Sequence, residues 1–181
     1  SASISIEAPD TEDAFESTVD AMRQVMDKAE QLEINLLINP RKGLTADPER
    51  VTDLIKKIGG FRVGTLPDFD AAAAAEDPEL YLRRLTPYAS AVLATMHDFT
   101  EPEPSEPDPD SPGSLDDLAE MLMATEAPIH TTFDLIPLLR AVTSVGFEGT
   151  LSIDYRGGGD GTLGVLHSRD ALEAGMEALA E

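Results

Sequence analysis

Apolar residues recur along this chain at two spacings, in blocks that alternate. Short runs, continuous or alternating, read as strands at Ser3 to Glu7, Ile34 to Ile38, Phe61 to Leu66, Ala91 to Met96 and Thr150 to Tyr155. Between them the apolar residues fall three and four apart, the spacing of one buried helix face. The segment near Asp10 to Leu32 carries Phe15, Val19, Met22, Met26 and Ala29 in that register, where methionines are core filler. Asp47 to Ile58 carries Val51, Leu54, Ile55 and Ile58, and a helix opened by Asp77 and Pro78 carries Tyr81, Leu82, Leu85 and Tyr88. Ser168 to Glu181 forms the last helix, with Ser168 as its cap and Leu172, Met176 and Leu179 turned inward. Strands alternating with helices imply a parallel sheet joined by right-handed crossovers.

The clearest block runs from Thr131 to Gly158. Leu135, Leu138, Leu139, Val142 and Val145 share one helix face; Asp134 can cap its start and Pro137 fits its first turn. Gly146 follows as a left-handed terminator. Leu151, Ile153 and Tyr155 then alternate with Ser152, Asp154 and Arg156, a strand with two different faces that ends beside a carboxylate.

Composition changes the picture in three ways. With 181 residues the chain reads as a single domain with a real core, interrupted by an acidic, proline-rich insertion over residues 100–113. Absence of cysteine excludes disulfides and thiolate metal sites. Thirty-five acidic against 13 basic side chains give a formal net charge of −22, which repels phosphate backbones and argues against a nucleic-acid partner. Such a surface suits a halophilic, salt-adapted protein, with an acidic tail or a cation-binding surface as the other readings. No apolar run spans a bilayer and nothing resembles a signal peptide, so no membrane partner and a cytoplasmic location are expected.

Ligands of parallel sheets bind at the carboxyl ends of the strands. That edge collects Asn39, Asp68, Asp70, His97, Asp98, Asp154 and Arg156. Residues two apart share a strand face, so Asp154 goes with Arg156 and Thr95 with His97. Arg41 and Lys42, in the loop after Pro40, could meet a phosphate or carboxylate, although a solvated loop is the plainer reading. Each residue alone is as easily a cap or surface group; convergence is what points to a site.

Three segments, VGTLPDF, AVLATMHDF and TTFDLIPLLRAVTSVGFEGTLSIDY, resemble the last third of the sugar phosphate isomerase/epimerase family, whose fold is the xylose isomerase-like TIM barrel. The likeness runs from about Gln31 to the C-terminus, leaving out the acidic insertion. It implies an α/β fold: a partial xylose isomerase-like (β/α) TIM barrel of about five parallel strands with helices. It also implies a divalent metal (Mn, Mg or Zn) held by Glu, Asp, His and Glu at four successive strand ends. Those positions fall here on Ile38, Asp68, Thr95 and Asp154, which leaves Asp68 and Asp154 as residual metal ligands and two usual ligands replaced. The family's glycine after Asp-Phe is Asp70, which puts a left-handed turn there in doubt.

The expected function is therefore isomerase- or epimerase-like, on a small sugar or sugar phosphate, with a degenerate metal site. Asp68, His97 and Asp154 would be catalytic, with Asn39, Lys42 and Arg156 binding substrate. A non-catalytic binding or assembly module that retains the barrel is the alternative, since fold does not fix function. An abasic-site endonuclease needs a histidine-rich metal cluster and a basic face, which three histidines and this charge do not supply. Five strands cannot close a barrel that side chains fill with eight, so a homo-oligomer, or further residues upstream, is expected to complete it.

Overall fold

The structure is a computed structural model and describes residues 2–9, 11–100 and 127–180. All of the 100–113 insertion beyond Thr100, and most of a short amphipathic helix that the sequence SLDDLAEMLMATEAP also predicts, lie outside the described residues. In chain order the elements are β1 (Ala2–Ile6), α1 (Phe15–Gln31), β2 (Ile34–Ile38), α2 (Pro48–Ile58), β3 (Val63–Thr65), α3 (Phe69–Ala73), α4 (Pro78–Leu85), β4 (Ala91–Met96), β5 (Phe99–Thr100), β6 (Ile129–His130), α5 (Leu135–Ser144), β7 (Thr150–Tyr155) and α6 (Gly161–Ala178). Two compact units share them: Ser1–Thr95 with Ile136–Asp154, and Met96–Leu135 with Tyr155–Glu181.

Unit 1 is a parallel sheet with helices. β1 pairs with β2 from Ala2↔Ile34 to Ile6↔Ile38, and β2 with β3 from Leu36↔Val63 to Ile38↔Thr65. Isolated parallel bridges, Thr65↔Ala89 and Asp68↔Leu93, carry the pairing to β4, which in turn pairs with β7. The Thr150 amide donates to the Ser90 carbonyl and the Arg156 amide to the Met96 carbonyl. This stagger advances in the same sense on both strands, as it does only in a parallel pair. The five expected strands are thus present, parallel, and in chain order.

Local chemistry starts the helices. Asp47 accepts the Glu49 amide at 2.8 Å and Asp77 accepts the Leu80 amide at 2.9 Å, each followed by a proline whose missing N–H would have gone unpaired anyway. Gly146, at φ 71°, ends α5 in the left-handed region as expected. The core is fully buried at Val19, Leu54, Leu82, Leu85 and Leu139, each contributing about 1.5–3 kcal/mol of hydrophobic stabilisation. β1, by contrast, is exposed along most of its length, with Ile4 49% exposed.

Several expectations need correcting. β3 covers Val63–Thr65, shorter than the expected Phe61 to Leu66, and the fully buried Phe69 opens α3 soon after it. Asp70 therefore has a place in the first turn of a helix, and no left-handed turn is needed there. Phe15 is only half-buried, and Tyr88 lies beyond α4 in a 3-10 turn. The last helix begins at Gly161, capped by Asp160 on the Leu163 amide at 2.9 Å; Ser168 is inside it, buried and bonded to the Gly164 carbonyl. Met176, assigned to the core, is 39% exposed. β7 shows no contrast of faces, since Leu151 to Tyr155 are all half-buried.

Unit 2 contains a short antiparallel hairpin that the sequence pattern did not show. Phe99 pairs with His130 and Thr100 with Ile129. Around it lie α6 and an aromatic cluster centred on Phe99, which stacks on Tyr155 at 6.4 Å and meets His130 and His167 edge-on at 5.4 and 5.7 Å. The Tyr155 ring lies against Gly164, where a Cβ would collide with three ring carbons. Gly164→Ala sets a helix-propensity gain of about 0.8–1 kcal/mol against an overpacking cost of about 1–3 kcal/mol. The expected outcome is net destabilisation by about 1 kcal/mol in chemical denaturation; a more stable variant would show that the ring yields.

Candidate functional site

In unit 1 the carboxyl ends of the strands place Asn39 after β2, Asp68 after β3, Thr95 near the end of β4 and Asp154 near the end of β7. The stagger of the Arg156 amide on the Met96 carbonyl matches that of the Asn39 amide on the Ile6 carbonyl, where Ile6 stands opposite Ile38. By the same rule Asp154 falls level with Thr95. Asp68 is bridged to Leu93 on the other side of β4, so one strand separates the two carboxylates. Two strand spacings are roughly 10 Å.

Asp68 is 4% exposed. Its Oδ1 accepts the Asp70 amide at 3.1 Å and so caps α3. A buried carboxylate is costly unless it is bonded, and this cap engages only one of its oxygens. Its charge is felt by Tyr81 of α4, whose hydroxyl is held well above the usual range, chiefly by burial and then by Asp68, with Arg41 opposing. Tyr81 is therefore a neutral phenol at any physiological pH. Its hydroxyl, the Asn39 Oδ1 and the Thr95 Oγ1 are buried without a hydrogen-bond partner among the described residues. Asn39 and Thr95 are 6% and 0% exposed, so ordinary bulk water does not satisfy them. Sequence reasoning singled out Asn39 but missed Tyr81, whose place in a helical stripe marked it only as core.

The two bases after Pro40 differ in their surroundings. Arg41 pairs with Glu7 at 3.1 Å. Lys42 is exposed, and its carbonyl accepts from the amide and hydroxyl of Thr45, which fixes the loop as a 3-10 turn.

His97 and Arg156 belong to unit 2. His97 is half-buried, and its amide donates to the His130 Nε2 at 3.0 Å. Asp98 accepts the Gly158 amide at 3.3 Å, a use as a loop brace. Arg156 has an exposed side chain and gives its amide to Met96.

The fit to a divalent cation can be judged from the residues themselves. Ile38, at the first position implied by the family resemblance, is a 1% exposed hydrocarbon, and Thr95 stands at the imidazole position. A hard cation takes about six oxygen or nitrogen donors. Among the described residues no group of three or more His, Asp and Glu side chains is arranged to hold one. The residues present do not fit the family's metal.

No protein-family model matches this chain, and no curated protein matches it by sequence. Solved structures do. A D-tagatose 3-epimerase-like protein shares the fold at a TM-score of 0.68 and 14% identity, covering 99% of this chain and 64% of its own. The IOLI protein with a bound zinc atom matches at 0.63 and 14%, over 97% of this chain and 62% of its own. A xylose isomerase-like TIM barrel protein from Mycobacterium smegmatis, in complex with magnesium, matches at 0.56 and 16%, over 90% and 50%. This chain spans less than two-thirds of the length of each. At such identity the likeness concerns the fold, which is a partial xylose isomerase-like TIM barrel.

Proposed function

We propose that this chain binds a sugar or sugar phosphate at the carboxyl ends of the unit 1 strands and acts on it as an isomerase or epimerase would, through Asp68 and Asp154. The observation that carries this reading is a pair of buried polar atoms at the same strand ends as Asp68: the Asn39 Oδ1 and the Thr95 Oγ1 have no hydrogen-bond partner among the described residues, and hydroxyl groups of a sugar would supply one. Moving a proton beside a carbonyl asks for an acid and a base on a common ligand, and two carboxylates separated by a single strand are of the right kind. The assisting role of His97 and the substrate contacts of Lys42 and Arg156 rest on the sequence alone.

A second reading, a non-catalytic sugar-binding or assembly module, is favoured by Ile38, which fills with hydrocarbon a position where the fold's enzymes are expected to hold a ligand.

The two readings separate in deuterium oxide. The parent, incubated with a panel of ketoses and their phosphates, is expected to exchange the hydrogen beside the carbonyl, followed by proton NMR. Asp68→Asn retains an N-cap acceptor of equal quality, so the fold survives. Exchange should nevertheless drop by about 10²–10⁴-fold, as for loss of a general acid or base. Saturable binding with no exchange in the parent would support the module. Neither binding nor exchange would overturn both readings.

A further inference from the structure

The three histidines of this chain all lie in unit 2, and one of them, His130, takes no part in the proposed catalysis. His130 is 6% exposed, with its ring beside Phe133 at 4.2 Å and Phe99 at 5.4 Å. Its Nε2 accepts the His97 amide at 3.0 Å, and its Nδ1 lies 3.0 Å from the Phe133 carbonyl. A carbonyl can only accept, so Nδ1 carries the proton; an amide can only donate, so Nε2 carries none. The two partners together specify the neutral Nδ1–H tautomer.

We propose that His130 is a pH-sensitive latch: its neutral imidazole ties the residue after β4 to the β6 arm, and protonation at Nε2 releases that tie. A proton on Nε2 would face the His97 N–H head-on, so the bond and the imidazolium exclude each other. The tie matters because the hairpin is short. β5 and β6 pair over two residues each; beyond that ladder the Thr100 hydroxyl donates to the Ile129 carbonyl at 3.3 Å, and the Thr131 amide and hydroxyl donate to the Asp98 carbonyl at 3.0 and 2.9 Å. A two-stranded pair of that length is marginal without such help.

Titratable side chains lie on the elements packed around the ring. His97 approaches from the end of β4 at 6.4 Å between centroids. Asp98, which precedes β5, accepts the Gly158 amide, and Asp134 follows Phe133 in the chain. From α6, His167 reaches Phe99, and the exposed Arg169 and Asp170 pair with each other. Tyr155 stacks on Phe99. Burial between two phenyl rings and the existing pair of bonds oppose the imidazolium. The open form, relieved of the His97 bond, takes up the extra proton more readily, so the latch weakens as pH falls.

The experiment follows the full chain by NMR in molar KCl between pH 8 and 5. Ring nitrogen shifts at pH 8 should report the Nδ1–H tautomer of His130. Exchange of the His97 amide, corrected for its intrinsic pH dependence, should accelerate about tenfold on acidification, the loss of one hydrogen bond. The Asn39 amide of unit 1, bonded to the Ile6 carbonyl at 2.8 Å, serves as the internal standard and should hold steady. His130→Gln keeps an acceptor for His97 and cannot titrate, so the excess pH dependence should vanish. An Nε2–H tautomer at pH 8, or His97 protection unchanged while His130 titrates, would overturn the latch. So would His97 and Asn39 losing protection together, which is global acid unfolding. If His130→Gln does not fold, the tautomer and the exchange profile of the parent decide alone.

Discussion

The melting temperature of this protein is expected to rise by on the order of 10 °C between 0.1 M and 2 M KCl, with a few kcal/mol of relieved repulsion acting on a domain of this size. Thirty-five carboxylates face 13 basic groups, and the formal charge of −22 is carried on a chain of 19.4 kDa. At 0.1 M salt the screening length is about 10 Å, long enough for neighbouring surface carboxylates to repel one another; at 1 M it is about 3 Å. Internal compensation is small. Arg41–Glu7, Lys56–Asp53, Lys57–Glu16 and Arg84–Glu49 all have side chains at least 41% exposed, and exposed pairs contribute about 0–1 kcal/mol each. Salt weakens those pairs too, but repulsion among the excess acids is the larger sum. Scanning calorimetry across a KCl series checks this. A melting point that is flat or falling would remove the salt-adapted reading of the composition, leaving the acidic tail or cation-binding surface.

Phe69→Ala is expected to cost about 3–5 kcal/mol, the largest effect of any single truncation considered. Phe69 is among the largest side chains with no exposure at all, and it opens α3 directly after Asp68. For a domain whose total stability is on the order of 5–15 kcal/mol, that is a large share of the whole. Urea denaturation measures it, and a loss below about 1 kcal/mol would show that the site collapses to fill the space. The variant also tests how Asp68 is held. Without the phenyl anchor the cap from Asp68 to the Asp70 amide should loosen, and the Asp70 amide should exchange faster than its neighbours in α4.

Much of this architecture was legible in the chain because its causes are local. Spacings of two and of three to four residues identify strands and helices without reference to any partner. An aspartate before a proline starts α2 and α4 by bonding an amide two or three residues on, and Gly146 stops α5 because it tolerates φ 71°. The five parallel strands follow from that alternation, whereas the partial barrel was implied by the resemblance of three segments to a known family. Placing Asn39, Asp68 and Asp154 at carboxyl ends of unit 1 strands required only the same reading.

What tertiary structure decided has non-local causes. Asp68 looked like the end of a strand, but burial of Phe69 turned the chain early and made it a helix cap. Ser168 looked like a cap, yet a buried hydroxyl inside a helix can bond back to the carbonyl four residues earlier, and Asp160 took the cap instead. The β5–β6 hairpin joins residues about thirty apart in sequence through two-residue strands, too short for any period to register. Tyr81 reads as core by spacing, and only its neighbours reveal that its hydroxyl is buried beside a carboxylate. The bonds of His130 are likewise invisible to sequence, because the amide of His97 and the carbonyl of Phe133 are backbone groups that every residue carries, and only the fold brings these two to opposite edges of one imidazole.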